Sequence, residues 1–357
     1  MEKTEQTNNL RAAISLSSVE ASLRTKIKLY LRRAKEIQAY LTHRPDEWGR
    51  FQSEFNSEVN NVFRDIMEFE KTNFNAGQKE KVKKLKKIFV NRIRGIFLKG
   101  AYNQWSLSKP FGYAGDFKII DDIYQNNPSS TGFERLFDNY FQMSAISVAV
   151  RNRKEDFKRI ITTFINTKRN QDIRIMNLAC GPNREIKEVL SSDTLLNKNV
   201  VFDCYDHEPK AIEYAKTLLD GTPNINFSIQ NALRISVSKN VNSLITQKYD
   251  LIYSTGLFDY LNYRISVRLA HNLKKLLKSG GLLIISDVRD KYSNPSVHYM
   301  EWVGEWNLIY RNDDDFRKIF IEAGFKNGEL KSLYEQQGIM QYIIASNKKD
   351  SGLFREL

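Results

Sequence analysis

The chain has 357 residues, 41% of them hydrophobic and 12% aromatic, with a net charge of +13, enough to bury one substantial core and a smaller second one. No apolar run approaches the ~20 residues of a membrane span, and the polar start Met1-Glu2-Lys3-Thr4-Glu5 lacks the core of a secretory signal, so a cytoplasmic protein without a transmembrane segment is expected. The two cysteines, Cys180 and Cys204, fall at the ends of predicted neighbouring strands and read as reduced small residues; no Cys/His spacing suggests a metal, and none is expected.

Residues 1–165 read as a helical unit. Apolar residues recur at intervals of three and four over Ser17–His43 and Glu47–Asn73, with few β-branched alternations. Lys79–Arg94 concentrates basic residues around a Val-Leu-Ile-Phe stripe, a pattern that fits a solvated helix face. The excess charge is compatible with nucleic acid, a membrane surface or an acidic carrier protein and does not choose among them. Tyr102–Tyr124 interrupts the helices with Pro110 and two glycines and gathers aromatics beside Asp116; such a stretch either packs under a domain or lines a ligand site.

From residue 166 the pattern alternates strand and helix. Ile173–Glu185 is the pivotal stretch: a β-branched run ends in the tight turn Ala179-Cys180-Gly181-Pro182 and opens into a helix at Glu185, as the first strand-turn-helix of a doubly wound nucleotide fold does. Gly181 allows close backbone approach of a ligand. The three-glycine dinucleotide fingerprint and the phosphate-gripping Lys-Ser/Thr pair are both absent, which counts against NAD and ATP. A shortened glycine turn fits S-adenosylmethionine, which brings an amino-acid tail and a ribose but no phosphate.

Val200–Cys204 is the second strand, and Asp206 follows it about 25 residues after the turn, where such folds place an acid on the ribose hydroxyls. His207 is assigned no role. Ile225–Ile229 is the third strand and leads into Asn231 and Ala232, placed to face an adenine edge. Tyr249–Ser254 is the fourth, and Leu282–Asp287, entered by the turn Ser279-Gly280-Gly281, the fifth. Phe325–Leu333 and Ile339–Ala345 read as an antiparallel closing pair. The carboxyl ends of strands one, two and four then surround one crevice. Thr255–Leu261 and Val288–Arg311 fall beside it, the second long for a connection and rich in aromatics, which argues for function rather than disorder.

Four motifs, GYAGD at Gly112–Asp116, LACGPNRE at Leu178–Glu185, YSTGLFDYL at Tyr253–Leu261 and MEWVGEWNLIYR at Met300–Arg311, resemble bacterial methyltransferases known as extracellular-factor synthases, similar to enzymes that make 3-hydroxypalmitic acid methyl ester. The resemblance runs from about residue 100 to the C-terminus and leaves residues 1–95 uncovered. It implies a seven-stranded, Rossmann-like class I methyltransferase sheet over residues 166–357, an N-terminal helical lid domain over 1–165, S-adenosylmethionine as cofactor, and O-methylation of a fatty-acid carboxylate. Carried onto this chain, Ala179, Cys180 and Gly181 line the cofactor's amino-acid end, Asp206 its ribose, and Asn231 and Ala232 its adenine; Ser254, ending the fourth strand, joins that set. Asp259, Tyr260, Tyr113 and Arg311 are the implied catalytic groups, and Asp116, His298, Glu301, Trp306 and Tyr310 the implied acceptor contacts.

Structural roles compete at several of these positions: Asp259 as a helix cap, Trp306 as core, Arg311 as the neutraliser of an internal carboxylate. An ionised carboxylate needs only orientation, by Arg311 or Tyr113, whereas an amine acceptor needs a base, for which Asp259, Glu301 or His298 would serve. The rivals are N-methylation of an amine-bearing small molecule or lipid, RNA methylation or binding, and sensing of the cofactor without turnover. Nucleic acid is the less favoured partner, because the strongest basic run is remote in sequence from the aromatic loops.

Overall fold

The computed structural model describes residues 2–97, 99–168, 172–191 and 199–347, with side chains from residue 21 onward except those of 94, 96 and 97. Contacts divide the chain into two compact units, one of residues 1–114, 127–144 and 295–307, the other of 115–126, 145–294 and 308–357.

The first unit is built from helices α1 (Glu2–His43), α2 (Gly49–Asn75), α3 (Lys79–Phe97) and α4 (Ala101–Ser108). Helix α6 (Gly132–Met143) and a π-helical turn, Tyr299–Val303, complete it; α5 (Phe117–Gln125) lies in the other unit. Leu23, Ile27, Tyr30, Ala34, Ile37 and Leu41 of α1 recur at three and four and are all buried, so the amphipathic stripe read from the sequence is the packing face. Tyr299, Trp302 and Trp306 of Val288–Arg311 belong to this core: Tyr299 lies edge-on to Tyr140 at 4.9 Å and Trp302 to Phe89 at 5.7 Å. Only residues 109–116 of the expected Tyr102–Tyr124 interruption are non-helical, because α4 and α5 occupy either side of the Pro110 turn.

The second unit carries a seven-stranded sheet in the order β3-β2-β1-β4-β5-β7-β6. The strands are β1 (Ile173–Leu178), β2 (Val200–Asp206), β3 (Ile225–Ile229), β4 (Tyr249–Ser254), β5 (Leu277–Val288), β6 (Leu330–Tyr334) and β7 (Met340–Ser346). β1 to β5 run parallel, while β7 is antiparallel to both β5 and β6, the doubly wound, seven-stranded order that the resemblance implies. Helices α7 (Ala145–Thr167), α8 (Arg184–Leu190), α9 (Pro209–Leu218), α10 (Ala232–Val237), α11 (Tyr263–Leu276) and α12 (Asp313–Glu322) accompany it.

Three strand starts differ from the sequence reading, that of β7 by a single residue, Met340 for Ile339. β5 begins at Leu277, and Ser279-Gly280-Gly281 forms a bulge against β4, with the register shifting between Tyr249 and Leu251, rather than a turn. Gly281 is required there: a Cβ would lie 2.8 Å from the Tyr249 carbonyl oxygen and 3.0 Å from that of Lys278. β6 begins at Leu330 instead of Phe325, because Phe325 is buried against Phe320 and a 3-10 turn, Asn327–Glu329, comes first.

Among the described residues no helix is long and apolar enough to cross a membrane, and no group of His, Cys, Asp or Glu is arranged to hold a metal.

Candidate active site

Asp206 organises the turn after β1. Its Oδ2 accepts the Gly181 amide at 2.9 Å and its Oδ1 accepts the Glu208 amide at 3.0 Å, so one buried carboxylate ties the turn to the start of α9. Oδ1 also faces His207 Nδ1 at 3.4 Å, whereas Oδ2 keeps a lone pair beyond its bond to Gly181, the capacity that a ribose hydroxyl requires. Next to it Cys180 donates its amide to the Tyr205 carbonyl at 3.0 Å. The two cysteines are buried and free, and burial pushes the Cys180 thiol well up. Asp206 also raises the pKa of the half-exposed His207 through a hydrogen bond.

The turn takes a left-handed backbone at three alternate positions, only one of them a glycine. Ala179, Gly181 and Asn183 all adopt the left-handed region, with φ of 55°, 54° and 58°. An alanine there carries strain of ~1–2 kcal/mol that a glycine would not, and retained strain concentrates at functional sites. A Cβ built on Gly181 would meet nothing nearer than Phe117 Cβ at 4.0 Å, so the space beside this backbone is open on the protein's side. The turn therefore fits the cofactor that its sequence suggested.

Around the turn runs a buried polar network that the sequence reading missed. Asn177 Nδ2 donates to Asn183 Oδ1 at 2.8 Å and to Glu185 Oε1 at 3.1 Å, and the Tyr253 hydroxyl reaches the same Glu185 oxygen at 3.1 Å. Burial raises the Glu185 pKa. Ser254 donates to the Leu178 carbonyl at 2.6 Å, holding the ends of β1 and β4 together. Below them, Arg184 makes a two-pronged pair with the buried Asp121, at 2.5 and 2.7 Å, which fastens α5 to α8.

On the adenine side, the amide of Gln230 donates to the Asp206 carbonyl at 2.8 Å, and Asn231 caps α10 by accepting the Leu233 amide at 2.8 Å. Ala232 is buried, while Ile229 and Leu233 flank these residues as exposed apolar side chains, the surface an aromatic ring covers.

The implied acceptor residues divide between the units. Tyr113, His298, Glu301 and Trp306 belong to the first. There His298, fully buried, lies 3.1 Å from Glu70; the backbone oxygen of the buried Glu301 accepts Lys86 Nζ at 3.0 Å; Trp306 is core; and Tyr113 is half-buried. Asp116, Asp259, Tyr260, Tyr310 and Arg311 belong to the second. Asp116 is fully buried and caps α5 through the amides of Lys118 and Ile119, at 2.9 and 3.0 Å.

Asp259 caps no helix, Asn262 doing so for α11; instead it accepts the Val288 amide at 2.8 Å. It also hydrogen-bonds Asp287, and burial raises its pKa. Tyr260 is 38% exposed and is the one of these side chains that faces solvent openly; Tyr310 is half-buried.

Arg311 departs from its implied role as the acceptor's grip. Its NH1 donates to Asp287 Oδ1 at 2.8 Å and to the Phe258 carbonyl at 3.0 Å, its NH2 donates to the Leu261 carbonyl, and the side chain is 5% exposed. A guanidinium whose donors point inward cannot also take a ligand carboxylate with two prongs, so the arginine neutralises an internal acid.

The sheet order, the strained turn and the acid after β2 define a nucleotide-cofactor fold of the class I methyltransferase type. The chain belongs to the methyltransferase domain family, whose model matches residues 169–347; it is an S-adenosylmethionine-dependent methyltransferase. A malonyl-[acyl-carrier protein] O-methyltransferase 1 from Ilyobacter polytropus is 28% identical over 252 residues, spanning 65% of this chain and 82% of that protein. The solved structure of a possible exported protein from Bordetella parapertussis superimposes with a TM-score of 0.53 at 17% identity, covering 95% of this chain and 97% of that one, a likeness of fold alone. The N-methyltransferase NodS from Bradyrhizobium japonicum, solved with S-adenosyl-L-homocysteine, covers 56% of this chain and 88% of its own at 13% identity and a TM-score of 0.39.

Proposed function

We propose that the enzyme methylates the carboxylate oxygen of an acyl-type molecule. The observation that carries this reading is the state of the acids that could serve as a base. Asp259 is buried against Asp287 and the Val288 amide, and His298 is buried against Glu70; Glu301 is also buried. An amine acceptor needs one of these to take its proton, whereas a carboxylate arrives ionised at neutral pH and needs none. The resemblance to the extracellular-factor synthases supports the same acceptor class, as does the malonyl-[acyl-carrier protein] relative. Exposed Lys81, Lys84 and Lys87 on α3 and the net charge of +13 suit delivery by an acidic carrier.

When bound, the cofactor supplies an electrophilic methyl on a sulfonium. The chain's own work is placement: Asp206, held in position by the Gly181 amide, takes the ribose end, and Tyr260 closes near the transferring group. Alignment of this kind supplies up to ~7–11 kcal/mol in favourable cases.

The pH dependence of turnover tests the reading. For a carboxylic acid with a solution pKa of ~4–5 the rate is expected to be nearly flat from about pH 6 to 9, and the product to be cleaved by mild alkali. An amine with a pKa of ~9–10 would instead give a rate rising roughly tenfold per pH unit below that value. A rising profile together with an alkali-stable product would transfer the assignment to nitrogen, with Asp259, whose burial-raised pKa suits proton acceptance, as the base.

A further inference from the structure

We propose, resting on the acyl acceptor inferred above, that the groove between α1 and α3 is the docking surface for an acidic carrier protein, which lays an acidic helix along it. Both helices belong to the first unit. The groove has a volume of about 330 Å³ and is lined by Ile27, buried, Leu31, half-buried, and the exposed cations Arg24 and Lys28 of α1 and Arg92 of α3. No acid is among the residues that line it. Along α1, Arg24, Lys28, Leu31 and Lys35 recur at four, three and four; along α3, Lys81, Lys84, Ile88 and Arg92 recur at three, four and four. Residues so spaced share one face of a helix. Each helix thus carries a ridge of three exposed cations with one half-buried aliphatic among them.

Elsewhere on α1 the cations are matched, Lys26 by Asp65 at 2.6 Å and Arg33 by Glu54 at 2.5 Å. Lys28, Lys35, Lys81, Lys84 and Arg92 have no acid partner among the described residues. Like charges three and four residues apart repel, so each ridge destabilises its own helix until a polyanion lies against it. Shape and composition select among polyanions. A bilayer is held by apolar side chains that insert, whereas Leu31 and Ile88 are recessed between the cations and the exposed Leu29 lies off both ridges. Single-stranded nucleic acid is held by aromatic rings between the charges, and neither ridge has one. An amphipathic helix answers both features of the groove: its apolar seam meets Ile27 and Leu31, and acids at its three- and four-residue spacing meet the ridges, the helix-in-groove mode of recognition. Each ridge is ~16 Å long, the length of about three turns of such a helix.

The test is calorimetric titration of the full chain with purified holo-acyl-carrier protein, at low and at physiological salt. Wild type is compared with the charge reversal Lys28→Glu/Lys84→Glu/Arg92→Glu and with the neutral Lys28→Gln/Lys84→Gln; all the substituted residues are exposed, and thermal midpoints check that the variants fold. An exposed ion pair corresponds to roughly 1.5- to fivefold in affinity. The reversal is therefore expected to weaken the carrier by about tenfold or more and the neutral variant by roughly two- to twentyfold, and wild-type affinity to fall as salt rises. The apo-carrier, which lacks the phosphopantetheine arm, is expected to bind within about threefold of the holo form, because the groove reads the helix. Unchanged carrier affinity in the reversed variant, or a carrier bound only in its holo form, would overturn the proposal. Vesicles of phosphatidylcholine with phosphatidylglycerol, or a single-stranded RNA, that bind wild type and are lost in the reversed variant by as large a factor as the carrier would make the face a general polyanion surface and overturn it equally. Should the reversed variant fail to fold, the neutral one decides by the same comparisons. Because the readout is binding, an N-methylated product would remove the carboxylate assignment and leave this one standing, whereas wild-type protein that methylates a free acid but binds no carrier would sink this one alone.

Discussion

Replacing Arg311 by methionine separates an internal role from a ligand-binding one. The side chain is 5% exposed and donates to Asp287 at 2.8 Å, to the Phe258 carbonyl at 3.0 Å and to the Leu261 carbonyl. Methionine fills much of the volume but leaves two buried carbonyls and a carboxyl without these donors, and each buried acceptor left unsatisfied costs about 1–3 kcal/mol. Asp287→Asn makes the opposite prediction. Burial, and then the neighbouring Asp259, push the Asp287 carboxyl well above the usual carboxylate range, so folding favours its protonated form. An amide mimics that state and keeps an acceptor for Arg311, so the change should cost ~1 kcal/mol or less at pH 7. The sign of the pH dependence follows. Above ~4, where an unfolded aspartate has lost its proton, the native state binds more protons than the unfolded one at this site, so its contribution to stability declines as pH rises toward the folded pKa. Urea denaturation at several pH values between 4 and 8 is expected to show a falling stability in wild type and a shallower fall in Asp287→Asn. Asp287→Asn as costly as Arg311→Met at pH 7, or an unchanged midpoint in Arg311→Met, would refute this account of the cluster.

Two glycines give further tests. Gly181→Ala has room for its Cβ within the protein but adopts φ of 54°, so it should fold with a loss of only ~1–2 kcal/mol and still lose most of its affinity for S-adenosylhomocysteine; calorimetry showing unchanged affinity would remove Gly181 from the cofactor site. Gly281→Ala drives a methyl onto the Tyr249 and Lys278 carbonyls and should cost ~3 kcal/mol or more, whereas Gly280→Ala, at φ of 76° with open space around it, should cost only the ~1–2 kcal/mol of backbone strain; thermal denaturation of the two side by side checks the difference.

The sheet was legible because local composition and tertiary demand agree there. β3 and β4 were read with their observed ends, since β-branched and aromatic runs bounded by turn residues have few other uses. The turn at Ala179 and the acid at Asp206 were legible for the same reason, as the position after a buried strand constrains both. The remainder of the site was hidden by its dependence on distant partners. Glu185 passes for an ordinary helix residue, and only its bonds to Asn177 and to Tyr253, 68 residues away, set it apart. Asn183 passes for an ordinary helix-start residue until its left-handed backbone sets it apart. Arg311 carried the opposite ambiguity: an arginine closing an aromatic-rich segment suits a ligand grip and an internal ion pair equally, and the acid that decides the matter is 24 residues earlier.

The cluster around Arg311 also accounts for why the chain tolerates an excursion of residues 295–307 into the first unit. A connection of that length threatens the register of whatever follows it, because the entropy of a long loop resists a fixed return point. Here the return is pinned several times over. Ile309 donates its amide to the Asp259 carbonyl at 2.8 Å, Gln341 Nε2 donates to the Arg311 carbonyl at 3.0 Å, and the Arg311 side chain reaches both the Asp287 carboxyl and the loop after β4. Asp259 in turn holds the amide of Val288, the last residue of β5 before the chain leads away. Departure and return are thus fixed to the same carboxylate pair at the ends of β4 and β5. Loosening that pair should therefore disturb the geometry of Tyr260 and Gly256 before it disturbs the sheet, whose strands are held by their own ladder.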